Sequence, residues 1–462
     1  MITRLHVFGC LAWVLLVAPA SVWSVVPEPV VEVEEELYRY EPANNGAGPM
    51  WCSGSTCVVR VGETVFASGL ETIPGAKLLN NCRWVLWRRD KTGWVRWVED
   101  AVGRTREPAP LVVLGDGRVV LSANPTLNPP EREGGGPARP ELRMFRGLES
   151  GTSPGSETWL PLWQGQPRFA EHSYRSFAAD GPGGELILFQ NIDYTHAEWA
   201  FRDGKGVWSA QGKLKWPMGT DYAKPQPIRV CYPDVAMSGR AVHFLGVSDI
   251  TEPNPEWRAY KRGLTGKEWD YDFRRLFYTW TPDVTREPFR DWVEVASREK
   301  TCGWISPGDL RLAADGSVWI LWTERAIDER LRAKFYPDEK QAHSLNFGVI
   351  RDGKLVLRKV LLESTEDHPG PVAGSARFHV TPGGRVLIVR YVSGGARSGN
   401  ELQEVAADGT VGEPVAIPFA RPFTSFFTAT PRGGSAPSGW IDLLGVQSGA
   451  QNAIGYARVR VR

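Results

Sequence analysis

Short runs of apolar and β-branched residues recur along this chain, each folded back on itself at a glycine-containing turn. The first is "CVVRVGETVFASGLE" at 57, followed by "APLVVLGDGRVVLSANP" at 109, "SYRSFAADGPGGELILFQN" at 173 and "YPDVAMSGRAVHFLGVSD" at 232. "PGDLRLAADGSVWILWTER" at 307, "ARFHVTPGGRVLIVRYVSG" at 376 and "FFTATPRGGSAPSGWIDLLGV" at 426 complete seven copies. Each predicts an antiparallel hairpin, because Asp-Gly and Gly-Gly supply the positive φ that tight turns need. Between them lie more polar, amphipathic hairpins such as "RWVLWRRDKTGWVRWVED", "EWAFRDGKGVWSAQGKLKW" and "NFGVIRDGKLVLRKVLL". An apolar hairpin followed by an amphipathic one makes four antiparallel strands per repeat, the plan of a propeller blade. The predicted fold class is therefore all-β, a seven-bladed β-propeller of four-stranded antiparallel blades. Six or eight blades, or two β-sandwiches, are the alternatives, but sandwiches do not explain why the two kinds of hairpin take turns. The C-terminal "NAIGYARVRVR" reads as a strand of the seventh repeat. The N-terminal "VVEVEEELYRY" is expected to add that blade's outermost strand, closing the ring and removing a sheet edge.

The first 24 residues, "MITRLHVFGCLAWVLLVAPASVWS", have a basic start, an apolar stretch of signal-peptide length and a small-residue "APA". They predict a secretory signal cleaved near residues 20–24, and hence a secreted or periplasmic protein with no membrane anchor after cleavage. A single propeller domain is expected over 25–462, with lid-like insertions at 250–275 and 324–344. Lys and Arg number 54 against 53 Asp and Glu, a formal net charge of +1, which argues against a nucleic-acid partner. Twenty Trp, 18 Phe and 12 Tyr suit an aromatic core and sugar stacking alike. Cys52, Cys57, Cys82, Cys231 and Cys302 remain after the leader, with no CxxC pair. Cys231 and Cys302 lie at the starts of consecutive inner strands, and a disulfide between them is favoured over the alternative of two buried free thiols. No cofactor is expected, a structural calcium or zinc ion is left open, and the protein is expected to be a monomer.

In a propeller the inner hairpin of each blade turns at one face of the ring, and the flanks of that hairpin emerge at the other. The flanks here are polar. Glu171, His172, Tyr174 and Arg175 lead into the third repeat, and Asn191, Asp193 and His196 leave it. Arg106 and Glu107 flank the second repeat, Arg229, Tyr232 and Asp249 the fourth, Asp309, Glu324 and Arg325 the fifth, and Arg377, His379 and Tyr391 the sixth. The insertion at 250–275 adds Trp257, Arg258 and Tyr260, and "AIDERLRAKF" within 324–344 has a short helical pattern. Long insertions on one face of a repeat protein commonly build its binding wall. His243, inside "AVHFLG", reads as a core or channel residue, and His368 as part of a turn.

"AADGSVWILW" at 313–322 and the degenerate copies "GDGRVVL" and "RDGKLVL" resemble the Asp-box (BNR) turns of secreted sialidase-like propellers. "CYPDVAMSGRAVHFLG" at 231 is similar to the Tyr-Pro opening of an inner strand in propeller polysaccharide lyases, such as ulvan lyases, and in related rhamnosidases. Arg175, Arg229 and Arg377 match the number of arginines that sialidases place around a carboxylate, but "PIRV" at 227 lies mid-chain rather than near the N-terminus. The resemblance implies a carbohydrate-active protein with a polysaccharide or oligosaccharide partner. Cleavage of a uronate-containing chain by β-elimination needs a cation on the carboxylate, a base for the C5 proton and an acid at the leaving oxygen. Arg175 or Arg377 is the candidate cation, His172 the base, and Tyr232 or Tyr174 the acid, with His379 beside them. Glu171, Asn191, His196, Arg229, Trp257, Arg258, Tyr260, Arg325 and Arg377 are the candidate substrate-binding residues. A hydrolase would instead pair Glu107 or Glu171 with Asp249 or Asp309. Glycan or protein binding without catalysis is the third reading.

Overall fold

A computed structural model describes residues 27–146, 155–395 and 398–462. The expected signal segment, residues 1–24, lies outside them. Seven four-stranded antiparallel sheets are arranged in chain order. Their innermost strands are Val58–Val61, Leu111–Val113, Ser176–Asp180, Val230–Ser238, Trp304–Leu312, Val372–Val380 and Phe423–Thr428. The buried apolar side chains fall into seven clusters, each shared by two neighbouring blades. That is why every inner hairpin is apolar on both faces while the outer ones alternate. The strand Pro29–Arg39 pairs antiparallel with Ala453–Val461, from Pro29 opposite Val461 to Arg39 opposite Ala453, and closes the ring as the sequence predicts.

The hairpin turns define one face of the ring, here the turn face, with Gly117 and Gly316 at φ 84° and 79° in two of them. The connections into each inner strand and out of its partner define the other, the loop face. Both insertions emerge there. Helix α1 (Pro255–Thr265) lies between Ala241–Ser248 and Arg275–Thr281 of blade 4, and helix α2 (Glu329–Phe335) between Val318–Arg325 and Ala342–Arg351 of blade 5. The side chain of Asn254 caps α1 by accepting from the N–H groups of Glu256 and Trp257, and Gly266, at φ 68°, ends it. Buried Lys261 ties α1 down to Glu252 at 2.7 Å, and Arg274 grips the same carboxylate at 2.8 and 2.9 Å. Burial opposes the charge on Glu252, but these two cations outweigh it and hold the carboxyl at about 2.

The channel is not an open pore. Arg432, in the blade 7 segment between Phe423–Thr428 and Trp440–Gln447, contacts Asp309 at 2.8 Å, Asp234 at 3.2 Å and the Gly54 carbonyl at 2.5 Å. Val113 and Ala179 donate their backbone N–H groups to the carbonyls of Gly433 and Arg432. A Cβ on Gly434 would lie 1.8 Å from the Val113 carbonyl oxygen, so only glycine fits this crossing. Segment 50–57, entering blade 1 from the loop face, thus meets the blade 7 segment in the middle of the ring.

One expectation about cysteine is corrected: Cys231 and Cys302 are not bonded, and all five described cysteines are free thiols. Cys302 lies in the α1 charge network, 3.2 Å from Arg274 and 3.6 Å from Lys261, whereas Cys231 is buried at the mouth of blade 4. No described helix is long and apolar enough to cross a membrane.

Candidate functional site

The stretch "EHSYR" leads into the inner strand of blade 3 with an alternating burial pattern. His172 and Tyr174 are half-buried, whereas Glu171, Ser173 and Arg175 are buried between them. Buried and half-buried positions alternate through this irregular stretch, which turns where the Arg175 N–H donates to the Ser173 carbonyl at 3.0 Å, so two of the four polar residues face the cleft and two face inward. His172 Nδ1 lies 2.7 Å from Glu107 Oε1, and the same oxygen accepts the Ser173 N–H at 3.0 Å. A carboxylate can only accept, so the proton is fixed on Nδ1 and the Nε2 lone pair is left for another partner. The His172 side chain is 29% exposed and that of Glu107 4%, a buried orienting group behind an accessible imidazole. Asn191 Oδ1 accepts the Tyr174 N–H at 2.6 Å, which fixes the height of that ring.

Tyr174 lies edge-on to His172 at 4.9 Å and to Tyr232 at 5.1 Å. Trp51 closes the group, 6.2 Å from both His172 and Tyr232. Tyr232 sits in a bulge between Cys231 and Asp234 and has φ 49°, a left-handed conformation that costs a non-glycine residue of order 1 kcal/mol. Gly54 packs against this bulge, where a Cβ would stand 2.4 Å from the Pro233 oxygen and 2.5 Å from the Tyr232 oxygen. Burial raises the hydroxyls of both Tyr174 and Tyr232 well above their ordinary value, so both rings carry their protons at neutral pH.

Arg229 supplies the positive charge. Its guanidinium lies 5.0 Å from the Tyr174 ring centre and 4.0 Å from that of Tyr194, with Tyr271 at 6.0 Å. Nη2 donates to Asp249 Oδ2 at 2.9 Å and Nε to the Asp249 carbonyl at 3.0 Å, while Nη1 has no protein hydrogen-bond partner among the described residues. Burial disfavours its charge, but Cys231, Asp249 and the tyrosines around it raise its pKa above the ordinary arginine value.

His172, Tyr174, Arg229 and Tyr232 are thus brought together on the loop face, and several other candidates are not. Arg175 lies beneath the cleft, donating to the carbonyls of Ser122 at 2.8 Å and Pro108 at 2.6 Å. Arg377 donates to the Ser53 carbonyl at 2.8 Å deep in the channel. His379 is the next-to-last residue of its inner strand, which begins at Val372, so it sits about 20 Å along the strand from the loop face. It is 3% exposed and bonded through Nε2 to the Ser438 carbonyl at 2.7 Å. Glu171 accepts the Gly136 N–H at 2.8 Å and faces Arg106 at 3.6 Å, a loop tie rather than a cleft residue. His196 bonds Thr195 and Glu198 at 2.7 and 3.0 Å on the third strand of blade 3. Trp257 and Tyr260 pack on Phe335 at 6.4 and 5.6 Å, joining α1 to α2, while Arg258 is exposed on α1. Arg325 lies with Trp304 and His343 in a pocket of about 320 Å³ on the loop face.

Trp51, Tyr194, Tyr271 and Phe273 are cleft residues without a repeat signature. Trp51 is nevertheless reachable by applying the flank rule to the first repeat, whose inner strand begins at Val58.

A cavity of about 1080 Å³ opens on the turn face, and three of its ionisable groups are already engaged, while Arg311 stacks on Trp319 with its Nε and Nη1 unpartnered among the described residues. Arg60 is bound to Asp442, Asp180 accepts from Gly239, and His243 is held by Tyr278 at 2.7 Å. Burial lowers His243 to about 4, which fits the core or channel role its sequence context predicts. Among the described residues, no group of three or more His, Cys, Asp or Glu is placed to hold a metal ion.

No family model matches the chain, and no curated protein matches it. Among solved structures, the polysaccharide lyase Uly1 is similar over 93% of this chain and 93% of that one, at 12% identity and a TM-score of 0.49. The GH93 α-L-arabinofuranosidase of Fusarium graminearum with arabinobiose covers 76% of this chain and 91% of its own, at 13% identity and 0.39. The Penicillium chrysogenum α-L-arabinanase with arabinobiose covers 76% and 93%, at 13% and 0.39. None of these likenesses assigns a role to an individual residue.

Proposed function

We propose that this is an exported, glycan-cleaving propeller that cuts a uronate-containing polysaccharide by β-elimination at its loop face. The observation that carries the reading is the Glu107-His172 pair, an imidazole with Nε2 held free beside two protonated tyrosines and a guanidinium. In this mechanism Arg229, rather than Arg175 or Arg377, neutralises the uronate carboxylate and so acidifies the C5–H bond. His172 Nε2 takes that proton while Glu107 stabilises the imidazolium. The C4–O bond breaks as a C4=C5 double bond forms, and the Tyr232 hydroxyl gives its proton to the departing oxygen. Tyr174 lies between the imidazole and Arg229 and keeps both in position.

Hydrolysis by paired carboxylates fits the same cleft less well. Glu107 serves His172, Glu171 serves Gly136, Asp249 serves Arg229 and Asp309 serves Arg432 and the Phe378 N–H. All four are buried at 7% exposure or less, which leaves none of the expected acids to meet a sugar.

The test is to incubate the purified mature protein with a panel of uronate polysaccharides and follow the ultraviolet absorbance of an unsaturated product. A rise abolished in His172→Ala and in Tyr232→Phe is the expected outcome. New reducing ends without absorbance would replace elimination by hydrolysis, and binding without turnover would make the protein a glycan receptor.

A further inference from the structure

The rings of the cleft do not stop at Tyr232. Phe273 lies 6.0 Å beyond it, and Trp304 lies 4.6 Å beyond Phe273, so an aromatic path crosses from blade 3 over blade 4 to blade 5. Each step is about the length of one sugar unit. The path ends at Trp304, which is 40% exposed at the loop-face end of its inner strand.

Beside Trp304 is the pocket of about 320 Å³, lined also by Thr323, Glu324, Arg325, His343 and Ser344. Arg325 and His343 face each other across neighbouring strands of blade 5. The Arg325 guanidinium lies 5.8 Å from the Trp304 ring and has no hydrogen-bond or ion-pair partner among the described residues, although its Nε is buried. His343 makes no side-chain hydrogen bond there either. Most arginines of this protein are committed to carboxylates or carbonyls, which makes this one unusual. Glu324 does not cancel it, because that carboxylate already accepts from Arg298 at 2.6 Å, Arg358 at 2.7 Å and the Trp322 indole at 2.6 Å. Two other arginines therefore already hold this lining carboxylate. Glu329, which acts electrostatically on His343, is the other acid nearby.

A planar donor fork with no partner, an imidazole and an exposed indole in one pocket match a charged sugar. The guanidinium suits the paired oxygens of a carboxylate or sulfate, and the indole suits the apolar face of a pyranose.

We propose that the Trp304-Arg325-His343 pocket is a second glycan subsite, taking an anionic group on a sugar two ring steps beyond Tyr232. The anion is a carboxylate or a sulfate ester. The position of the subsite relative to the cut bond rests on the proposed cleavage at His172, but its occupancy does not. It implies that the substrate carries negative charge at repeated positions rather than on a single unit.

Calorimetric titration of His172→Ala, which prevents turnover, separates the two claims. The probes are glucuronate-containing tetrasaccharides, sulfated tetrasaccharides, the corresponding disaccharides and the neutral cellotetraose. Arg325→Gln in that background should weaken the preferred anionic tetrasaccharide about 10- to 100-fold. Disaccharides confined to the His172 end should change by no more than about twofold. Trp304→Ala, an exposed change that leaves the strand backbone intact, should weaken the same tetrasaccharide and guards against misfolding of the first variant. The larger Arg325 dependence, on glucuronate or on sulfate, identifies the anion. The subsite is overturned if neither anionic tetrasaccharide binds, if Arg325→Gln leaves their affinity unchanged, or if cellotetraose suffers the same loss. If the unmutated protein forms no unsaturated product while the Arg325 dependence holds, cleavage by elimination falls and the subsite stands.

Discussion

Replacing Glu107 by glutamine isolates the feature on which the chemistry depends. Gln has the shape of Glu and keeps an oxygen for the Ser173 N–H, so the loop can fold as before. Two properties change. A charge-assisted hydrogen bond worth about 1.5–3 kcal/mol becomes a neutral one worth about 0.5–1.5 kcal/mol. The imidazolium formed during proton abstraction thus loses about 1–1.5 kcal/mol, or about tenfold in kcat. The second loss is larger where the amide turns its NH₂ group toward Nδ1. The ring proton then moves to Nε2 and the base is lost, a change that costs about 10⁴ in a serine-protease triad. The expected kcat for Glu107→Gln is therefore lower by between about 10 and 10⁴, with KM within about threefold of the unmutated value.

The assay is the initial rate of unsaturated product, alongside a thermal melt to confirm folding. His172→Ala and the double variant complete a cycle. If Glu107 works only through His172, adding Glu107→Gln to His172→Ala costs nothing more. A single variant with unaltered kcat, or a double variant whose losses multiply in full, would refute the pairing.

Three further outcomes follow from contacts around the cleft and deeper in the ring. Arg229→Gln strands the carboxylate of Asp249, itself 1% exposed, and should lower unfolding free energy by about 3–5 kcal/mol in a urea titration; a loss under about 1 kcal/mol would contradict the pair. Gly54→Ala forces a methyl group against the backbone oxygens of Tyr232 and Pro233 and should cost about 1–3 kcal/mol while lowering kcat; Gly48→Ala, whose Cβ meets nothing within 4 Å, is the control. Burial lowers His379 to about 4, so below about pH 6.5 the unfolded chain takes up a proton that the folded chain refuses. This residue's contribution is complete above about pH 6.5 and falls by about 3 kcal/mol toward pH 4, a slope that His379→Gln should remove from stability measured across that range.

The ring was legible because its physics repeats. Apolar hairpins must be buried between neighbours on both sides, glycines must stand at their turns, and "NAIGYARVRVR" left one pairing edge for "VVEVEEELYRY" to fill. Helix α2 showed its period in "AIDERLRAKF", but α1 did not. Its 11 residues hold Pro255, Gly263 and several charged side chains, and it is anchored by the single buried cation Lys261 rather than by an apolar stripe. The expected Cys231-Cys302 bond also failed for a physical reason. Each thiol found a buried polar setting of its own, Cys302 among Arg274, Lys261 and Glu252, and Cys231 beside Asp249.

Within the site, the decisive information was parity and depth rather than residue type. Glu171, His172, Tyr174 and Arg175 are close neighbours in sequence, yet burial alternates so that 172 and 174 reach the cleft while 171 and 175 lie inward. Alternation alone therefore separates the base from the loop tie and replaces Arg175 by another cation. The same rule cannot be carried to blade 4, because the bulge at Cys231–Asp234 resets the phase and turns Tyr232 outward. It also fails for blade 6, whose inner strand starts at Val372 and not near Arg377, so that Arg377 and His379 lie in the channel and near the turn face. A residue at the mouth of a propeller strand is thus a candidate for chemistry only once its register and its distance from the strand's first residue are known. His172, Tyr174 and Arg229 satisfy both conditions within one short reach of chain and one neighbouring blade.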